Sequence, residues 1–135
     1  DIEAAALAYE KKIREFFSLA DGQWAAFDLV LLGMGDDGHT ASLFPGTKAL
    51  SETRRIVVAN WVEKLSTNRM TLTYPAINHA KNVLFMAAGA AKTAPLKEVL
   101  KGEKNPNLYP SQLINPENGK LYWMIDEAAA GDEKY

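Results

Sequence analysis

The sequence predicts an α/β fold, and three observations lead to this class. The chain opens with an amphipathic helical pattern, continues into a nearly continuous apolar run bounded by glycine, and then alternates strand-like and helical segments. An apolar run of this kind is typical of a parallel strand covered on both faces. With 135 residues, 47% of them hydrophobic, the chain is long enough for one globular domain and too short for two ordinary ones.

Apolar residues recur every three or four positions from Ile2 to Ala20 and predict the first helix, which Asp21-Gly22 ends. The next pattern predicts a strand over residues 27–32. Later strands are predicted at residues 56–62, 70–73, 83–86 and 121–125. A short helical stretch follows Pro75, and a longer helix is predicted over residues 90–100 with Pro95 in its first turn.

The overall composition excludes several classes of protein. Fifteen basic and seventeen acidic residues nearly cancel, so the broad positive field of a nucleic-acid-binding protein is not expected. The absence of cysteine excludes a disulfide framework and thiolate metal sites, and it fits a cytoplasmic protein. No apolar run approaches the ~20 residues of a membrane span. Because the chain starts at Asp1 directly on a helical pattern, we expect it to be part of a longer protein.

The segment Gly33-Met-Gly-Asp-Asp-Gly-His-Thr-Ala-Ser42 is the most informative one, because it begins where the first predicted strand ends. Ligands of open α/β sheets bind at that edge. The glycines allow close approach of the backbone to a ligand, which leaves Asp37 and His39 as the chemically capable side chains. A histidine with a carboxylate two residues away can act as a base with an orienting partner. This pattern suits the activation of water.

The loop sequence allows three other interpretations. It could be a simple glycine and aspartate turn with a solvated histidine, although its position at the strand end argues against this. A metal site formed by Asp36, Asp37 and His39 would lack the usual ligand spacing and a supporting His or Cys cluster. A dinucleotide loop would need Gly-x-Gly-x-x-Gly and would not carry acidic residues where a pyrophosphate sits.

Two runs, FDLVLLGMGDDGHTASLFPG and NRMTLTYPAINHAKNVLF, resemble two sequence blocks of the glucosamine-6-phosphate isomerase/6-phosphogluconolactonase family. The resemblance extends from about Ala5 to residues 126–130. It implies a Rossmann-like parallel sheet flanked by helices, of the sugar-phosphate isomerase and lactonase type. It also implies that residues 1–135 are the C-terminal part of a single family domain whose N-terminal portion is missing.

The resemblance to the lactonases implies hydrolysis of 6-phospho-D-glucono-1,5-lactone to 6-phospho-D-gluconate in the oxidative pentose phosphate pathway. His39 would be the general base that acts on water, and Asp37 would assist it. No cofactor and no metal are implied. The expected partner is the small sugar-phosphate lactone alone, without nucleic acid or membrane, and the sequence does not predict the oligomeric state.

Further residues are expected to contact the substrate. Backbone N–H groups of the loop from Gly35 to Gly38 are candidates for stabilising the oxyanion. Residues 89–92 combine a glycine, amide donors and Lys92, which suits a phosphate at a helix start, and the resemblance favours this over a solvated lysine. Arg69 matches a basic residue that lactonases use for the substrate phosphate, the alternative being an exposed charge before a strand.

Two rival functions remain open. The related deaminases that act on glucosamine 6-phosphate carry a ring-opening glutamate five residues after the histidine, where this sequence has Phe44, so the departure argues for a lactonase. The other rival is a catalytically inactive sugar-phosphate-binding fragment. Family members carry a Ser-Gly-Gly phosphate loop and an Asp-Glu-Arg segment that these 135 residues lack, so the isolated chain is expected to have little activity.

The remaining histidine and the larger aromatic residues are expected to have structural roles. His79 is interpreted as a surface or packing residue. The aromatic residues on or near predicted strands are interpreted as packing residues and not as a stacking platform for a ligand: Trp24, Phe27, Trp61, Phe85 and Trp123.

Overall fold

A computed structural model describes all residues, 1–135, as an α/β structure. The four helices are α1 (Ile2–Phe16), α2 (Tyr74–Asn78), α3 (Thr93–Lys101) and α4 (Glu127–Ala130). The five strands are β1 (Val30–Gly33), β2 (Val57–Val62), β3 (Thr67–Leu72), β4 (Asn82–Ala87) and β5 (Lys120–Ile125). No helix is both long enough and apolar enough to cross a membrane.

Strands β1, β4 and β5 form a parallel sheet in the order β1-β4-β5. The inward face of β4 carries Val83 and Phe85, both fully buried, and Phe85 stacks on Trp123 of β5 with ring centroids 3.9 Å apart. Helix α3 contributes Leu96 and Val99 to the same core. The predicted fold class, a parallel sheet with flanking helices, is therefore confirmed.

The opposite face of this sheet is apolar and uncovered by the chain. Leu31 of β1, Met86 of β4 and Met124 of β5 are each about half exposed, although their neighbours on the same strands are buried or partly buried. In a soluble parallel sheet both faces are normally covered.

Strands β2 and β3 do not join the parallel sheet. They pair with each other in antiparallel orientation, with Asn60 opposite Arg69. Only residues 63–66 connect them, and a parallel crossover needs about a dozen residues or more, so a hairpin is the only pairing this connection permits. The sequence pattern predicts both strands but not their pairing.

Helix α1 buries a polar residue where an apolar stripe was predicted. Phe16 is one of the regularly spaced apolar residues between Ile2 and Ala20 that predict the inward face, but it is 82% exposed and ends the helix, whereas Glu10 is buried. The Glu10 carboxylate accepts hydrogen bonds from the backbone N–H groups of Ile56 and Val57 and from Arg55 Nε. These contacts fix α1 against the start of β2.

Other boundaries differ by a few residues. The first strand begins at Val30 and not at residue 27, although the Phe27 carbonyl accepts from Lys81 N–H just before the ladder starts. The predicted helix over residues 90–100 is a 3₁₀ turn (Ala90–Lys92) followed by α3. Pro95 lies in the first turn of α3, as predicted, where its missing N–H leaves no intrahelical acceptor unpaired.

Candidate active site at the carboxyl edge of the sheet

The Gly-rich loop follows β1 directly, and residues 88–92 follow the neighbouring strand β4. Parallel strands β1 and β4 end at the same edge of the sheet, so the two segments meet there. Contact is direct, because Lys92 Nζ lies 2.8 Å from Asp36 Oδ1. The structure therefore brings together two of the three segments in which site residues were predicted.

Two glycines of the loop are required by their surroundings. A Cβ on Gly35 would collide with the imidazole of His39 and with Asp37 Oδ1. Gly38 has φ +80°, and a Cβ there would lie 2.9 Å from Tyr109 Cδ1. The Gly38 carbonyl accepts from both the backbone N–H and the hydroxyl of Ser111, at 3.0 and 2.8 Å. Both glycines thus shape the loop.

Asp37 and His39 form a hydrogen-bonded pair. Asp37 Oδ1 lies 2.5 Å from His39 Nδ1 and also accepts the His39 backbone N–H at 3.0 Å. The second carboxylate oxygen, Oδ2, accepts from Lys64 Nζ at 2.8 Å. The carboxylate is therefore held by three donors that arrive from two parts of the chain.

The protonation state of the pair follows from these contacts. Burial raises the pKa of the Asp37 carboxyl, but hydrogen bonds from Lys64 and from the His39 backbone and ring outweigh it and lower the pKa to about 2. An ionised carboxylate can only accept, so the His39 proton must sit on Nδ1 and donate to it. In the neutral ring Nε2 is then left with a free lone pair, which is the state a general base needs.

The ring of His39 is also fixed by packing. It stacks on Phe44 with centroids 4.0 Å apart and an interplanar angle of 17°, and Phe44 is itself buried. Thr40, the next residue, is buried and donates its hydroxyl to the Gly33 carbonyl at 2.7 Å. One face of the imidazole is therefore covered, and the backbone beside it is tied to the end of β1.

The predicted phosphate segment is only partly free to bind a ligand. Lys92 is one quarter exposed and paired with the more exposed Asp36. The N–H of Gly89, expected to be available, donates instead to the Asp126 carboxylate at 3.0 Å. Asp126 also caps α4 by accepting the N–H of Ala129. The expectation of free amide donors at residue 89 is therefore wrong, while Lys92 does lie beside the loop.

Arg69 is exposed on β3 and makes no hydrogen bond or ion pair. It lies opposite Asn60 and two residues before Thr71 on the same face of the hairpin. Thr71 Oγ1 accepts the N–H of Ser42, so this face of the hairpin contacts the segment that follows His39. Arg69 thus belongs to a hairpin that contacts the segment after His39, but Arg69 makes no hydrogen bond or ion pair with the loop.

Two cavities flank the loop. One, of about 370 Å³, is lined by His39 together with Gly35, Met34 and Leu31, among others. A larger one, of about 700 Å³, is lined on the other side by Asp36, Asp37, Phe44, Trp61 and Lys64, among others.

Trp61 departs from the packing role that was predicted for it. It is half exposed in the larger cavity, and its indole N–H donates to Glu63 Oε2 at 2.7 Å. Trp24 stacks on His79 with centroids 5.0 Å apart, and His79 is exposed with Nδ1–H directed to the Pro75 carbonyl. His79 is therefore the surface packing residue that was predicted. No group of three or more His, Cys, Asp or Glu side chains is arranged to hold a metal ion.

The sequence pattern does not identify Lys64 and Asp36 as partners of the site. Lys64 lies in the turn of the hairpin, 27 residues after Asp37, so no local pattern links the two. From the sequence, Asp36 is a candidate only for a metal site. Its ion pair with Lys92 joins residues that are 56 positions apart, so no local pattern predicts it. The short connection over residues 63–66 is the one signal in the sequence that indicates a hairpin. It would have placed Lys64 in the turn of that hairpin.

Comparison with known proteins agrees with this architecture. Residues 1–123 match the family model described as glucosamine-6-phosphate isomerases/6-phosphogluconolactonase. The chain is 44% identical over 129 residues to a 6-phosphogluconolactonase of Synechocystis, covering 96% of this chain and 52% of that protein. It is 44% identical over 131 residues to the 6-phosphogluconolactonase of Homo sapiens, covering 96% of this chain and 49% of the human protein.

Solved structures of similar proteins superpose on this chain. The 6-phosphogluconolactonase from Trypanosoma cruzi superposes with a TM-score of 0.81 at 32% identity, covering 96% of this chain and 51% of that one. A monomeric glucosamine-6-phosphate deaminase superposes with a TM-score of 0.68 at 23% identity, covering 96% of this chain and 54% of that one, which shows a shared fold. The chain thus spans about half the length of the relatives it matches. The expectation that it is their C-terminal part is not confirmed by these comparisons.

Proposed function

Because the chain belongs to the glucosamine-6-phosphate isomerase/6-phosphogluconolactonase family, we propose that its protein hydrolyses 6-phospho-D-glucono-1,5-lactone to 6-phospho-D-gluconate, a step of the oxidative pentose phosphate pathway. The observation that carries the proposal is the His39–Asp37 pair at the carboxyl edge of the parallel sheet. Relatives that are 44% identical and named 6-phosphogluconolactonase support the choice of substrate. A cytoplasmic location remains part of the proposal.

The mechanism uses His39 as a general base. Nδ1–H donates to ionised Asp37, and the free lone pair of Nε2 accepts a proton from a water molecule. The oxygen of that water attacks C1 of the lactone and forms a tetrahedral oxyanion. Collapse of this intermediate breaks the bond from C1 to the ring oxygen, which takes the proton back from the His39 imidazolium. Asp37 stabilises the imidazolium in between, because it lies 2.5 Å from Nδ1.

The oxyanion requires donors that the loop does not already use. The N–H of Gly35 donates to the His39 carbonyl, and the N–H of Gly38 donates to the Gly35 carbonyl, both at 2.9 Å. These two amides are therefore unavailable, contrary to the expectation from the sequence. The N–H groups of Asp36 and Asp37 make no hydrogen bond within the protein, and we assign the role to them.

Lys92 and Arg69 are proposed to bind the substrate phosphate. Lys92 already lies at the loop and exchanges its ion pair with exposed Asp36 for one with the phosphate. Arg69 is unpaired and exposed on the face of the hairpin that contacts Ser42. A phosphate held between them would anchor the sugar while the lactone carbonyl faces His39.

Lactonase chemistry is favoured over deamination by the residue five positions after the histidine. Phe44 is 7% exposed and stacks on the imidazole of His39. An apolar ring there supplies no acid for opening a sugar ring, and it keeps water from one face of the base. This observation carries the choice between the two activities of the family.

The test is hydrolysis of freshly prepared 6-phospho-D-glucono-1,5-lactone by the protein that contains this sequence, with the spontaneous rate subtracted. Proton release well above the spontaneous rate supports the proposal, and ammonia release from glucosamine 6-phosphate would identify the rival deaminase. Lactone binding without turnover would identify a non-catalytic sugar-phosphate-binding protein. The expectation that the 135-residue chain alone has little activity is checked in the same assay.

A further inference from the structure

Lys64 lies in the turn that joins β2 and β3, and its ammonium is 2.8 Å from Asp37 Oδ2. Ser66, in the left-handed conformation with φ +47°, closes this turn. The Lys64 side chain is 64% exposed, whereas that of Asp37 is 20% exposed. An exposed surface ion pair normally contributes little to folding stability. This pair can orient Asp37 only if the surrounding structure holds Lys64 in place.

The hairpin that carries Lys64 is fixed to the active-site loop by buried hydrogen bonds. The Asn60 side chain, fully buried, donates to the Ser42 carbonyl and to Thr47 Oγ1 and accepts the N–H of Ala49. From β3, Thr71 Oγ1 accepts the N–H of Ser42. Both strands are thus tied to the segment that follows His39, which fixes the position of Lys64 relative to Asp37.

The charges around the pair leave Lys64 as the only cation in contact with Asp37. Lys92 is taken by Asp36, and Glu63, next to Lys64, accepts the indole N–H of Trp61. Lys48 lines the same cavity without an ion pair. The Asp37 carboxylate is therefore divided between an ammonium on Oδ2 and the imidazole on Oδ1.

This division has two physical consequences. The ammonium fixes the rotation of the carboxylate, so that Oδ1 stays directed at Nδ1 of His39. Its positive charge also opposes protonation of the imidazole, which needs to be neutral to act as a base. Removing the ammonium would leave Asp37 free to stabilise imidazolium, so the ring would bind a proton at higher pH.

We propose that Lys64 is a positioning residue of the hydrolytic site: through Asp37 it orients His39 and keeps His39 in its neutral, basic form at lower pH. The inference rests on the proposed lactonase function. In this proposal Lys64 acts through Asp37, so its removal should weaken the chemical step more than substrate binding.

The test compares Lys64→Met, Lys64→Arg and Lys81→Met with the unmodified protein. Lys81 is the matched control, since it is also 64% exposed and also pairs at 2.8 Å, with Asp28 away from the site. We expect Lys64→Met to lower kcat about tenfold with little change in KM. The acid limb of the pH–activity profile of Lys64→Met should move to higher pH by about half a unit to one unit. Lys64→Arg should keep kcat and the acid limb close to those of the unmodified protein, and Lys81→Met should change neither quantity.

A second measurement does not depend on turnover. An NMR titration of the imidazole protons follows His39 directly once its resonance is assigned by its loss in His39→Asn, and His79 serves as an internal reference. His39 should titrate at higher pH in Lys64→Met by the same amount, while His79 stays unchanged. An unshifted His39 would overturn the proposal for Lys64 even if the lactone is hydrolysed. A protein that hydrolyses no lactone would overturn the proposed function and, with it, the role given to Lys64.

Discussion

Gly35 packs directly against the imidazole of His39, so closely that a methyl group at residue 35 would occupy the space of that ring. The same methyl group would lie 2.8 Å from Asp37 Oδ1. The glycine is therefore required by the side chains that it touches, and the loop and the His39–Asp37 pair form one packed unit.

Replacing Gly35 with alanine should displace the ring of His39 and separate it from Asp37. We expect Gly35→Ala to lower kcat by ~10² or more, since a displaced general base loses its contribution to the transition state. Gly22→Ala is the control, because Gly22, unlike Gly35, has open space around it, and it lies away from the site with φ +79°. Its strain should cost about 1 kcal/mol of stability and leave kcat unchanged. Equal activity of Gly35→Ala and the unmodified protein would show that the imidazole is not held as described.

Glu10 should matter for stability and not for chemistry. Burial raises the pKa of the Glu10 carboxyl, but hydrogen bonds from the Val57 N–H, from Arg55 and from the Ile56 N–H outweigh it and lower the pKa. Glu10→Gln should reduce the free energy of unfolding by about 2 kcal/mol, because a buried hydrogen-bonded charge is lost while its donors remain.

Urea denaturation measures this effect, and Glu15→Gln on the same helix is the control. Glu15 is exposed and pairs with Lys11 only at 3.9 Å, so its loss should change stability by less than about 0.5 kcal/mol. If both substitutions lowered the free energy of unfolding equally, the contacts of Glu10 with β2 would contribute no more to stability than an exposed ion pair does.

Asp37 should make folding stability depend on pH. Its pKa of about 2 lies below the unfolded value, so its contribution is present above the unfolded pKa and is lost as the pH falls through the folded one. The contribution is about 2 kcal/mol at pH 7 and is fully present above about pH 5. Asp37→Asn should therefore be less stable at pH 7, and the difference should shrink as the pH falls towards 2. Denaturation curves at several pH values would contradict this if the difference stayed constant.

Lys92 and Arg69 should act mainly on substrate affinity. A phosphate held equally in the ground and transition states contributes uniform binding, so Lys92→Ala and Arg69→Ala should raise KM more than they lower kcat. Loss of a charge-assisted contact corresponds to about a 10-fold rise or more. Asp36→Asn should instead lower KM, because it removes the carboxylate that competes for Lys92. If Lys92→Ala or Arg69→Ala leaves KM unchanged, the substituted residue does not bind the phosphate and belongs to the solvated surface.

The sequence revealed the parts of the site that are local in the chain. An apolar run followed by glycines identified β1 and its loop, and hence His39 and Asp37. The close packing behind Gly35 is also local, although its tightness depends on ring positions that a sequence does not contain. These features follow from neighbours within a few residues.

The contacts that the sequence did not reveal join distant segments. Lys64 reaches Asp37 only because β2 and β3 pair in antiparallel orientation, and that pairing depends on the length of the connection and on burial of Asn60. The N–H of Gly89 is occupied because Asp126 follows the adjacent parallel strand β5. Hydrophobic patterns predict which face of an element is buried, but they do not predict which polar groups will meet across a sheet edge.

The most direct test of the account is the activity of His39→Asn against pH in the protein that contains this sequence. Asparagine keeps a donor near Asp37 but cannot accept a proton from water, so kcat should fall by ~10² or more while KM changes little. In the unmodified protein, activity should fall on acidification, because a protonated imidazole cannot act as a base, and the residual activity of His39→Asn should lack that acid limb. An asparagine variant that hydrolyses the lactone at the normal rate, with the same acid limb, would contradict the assignment of His39 as the base.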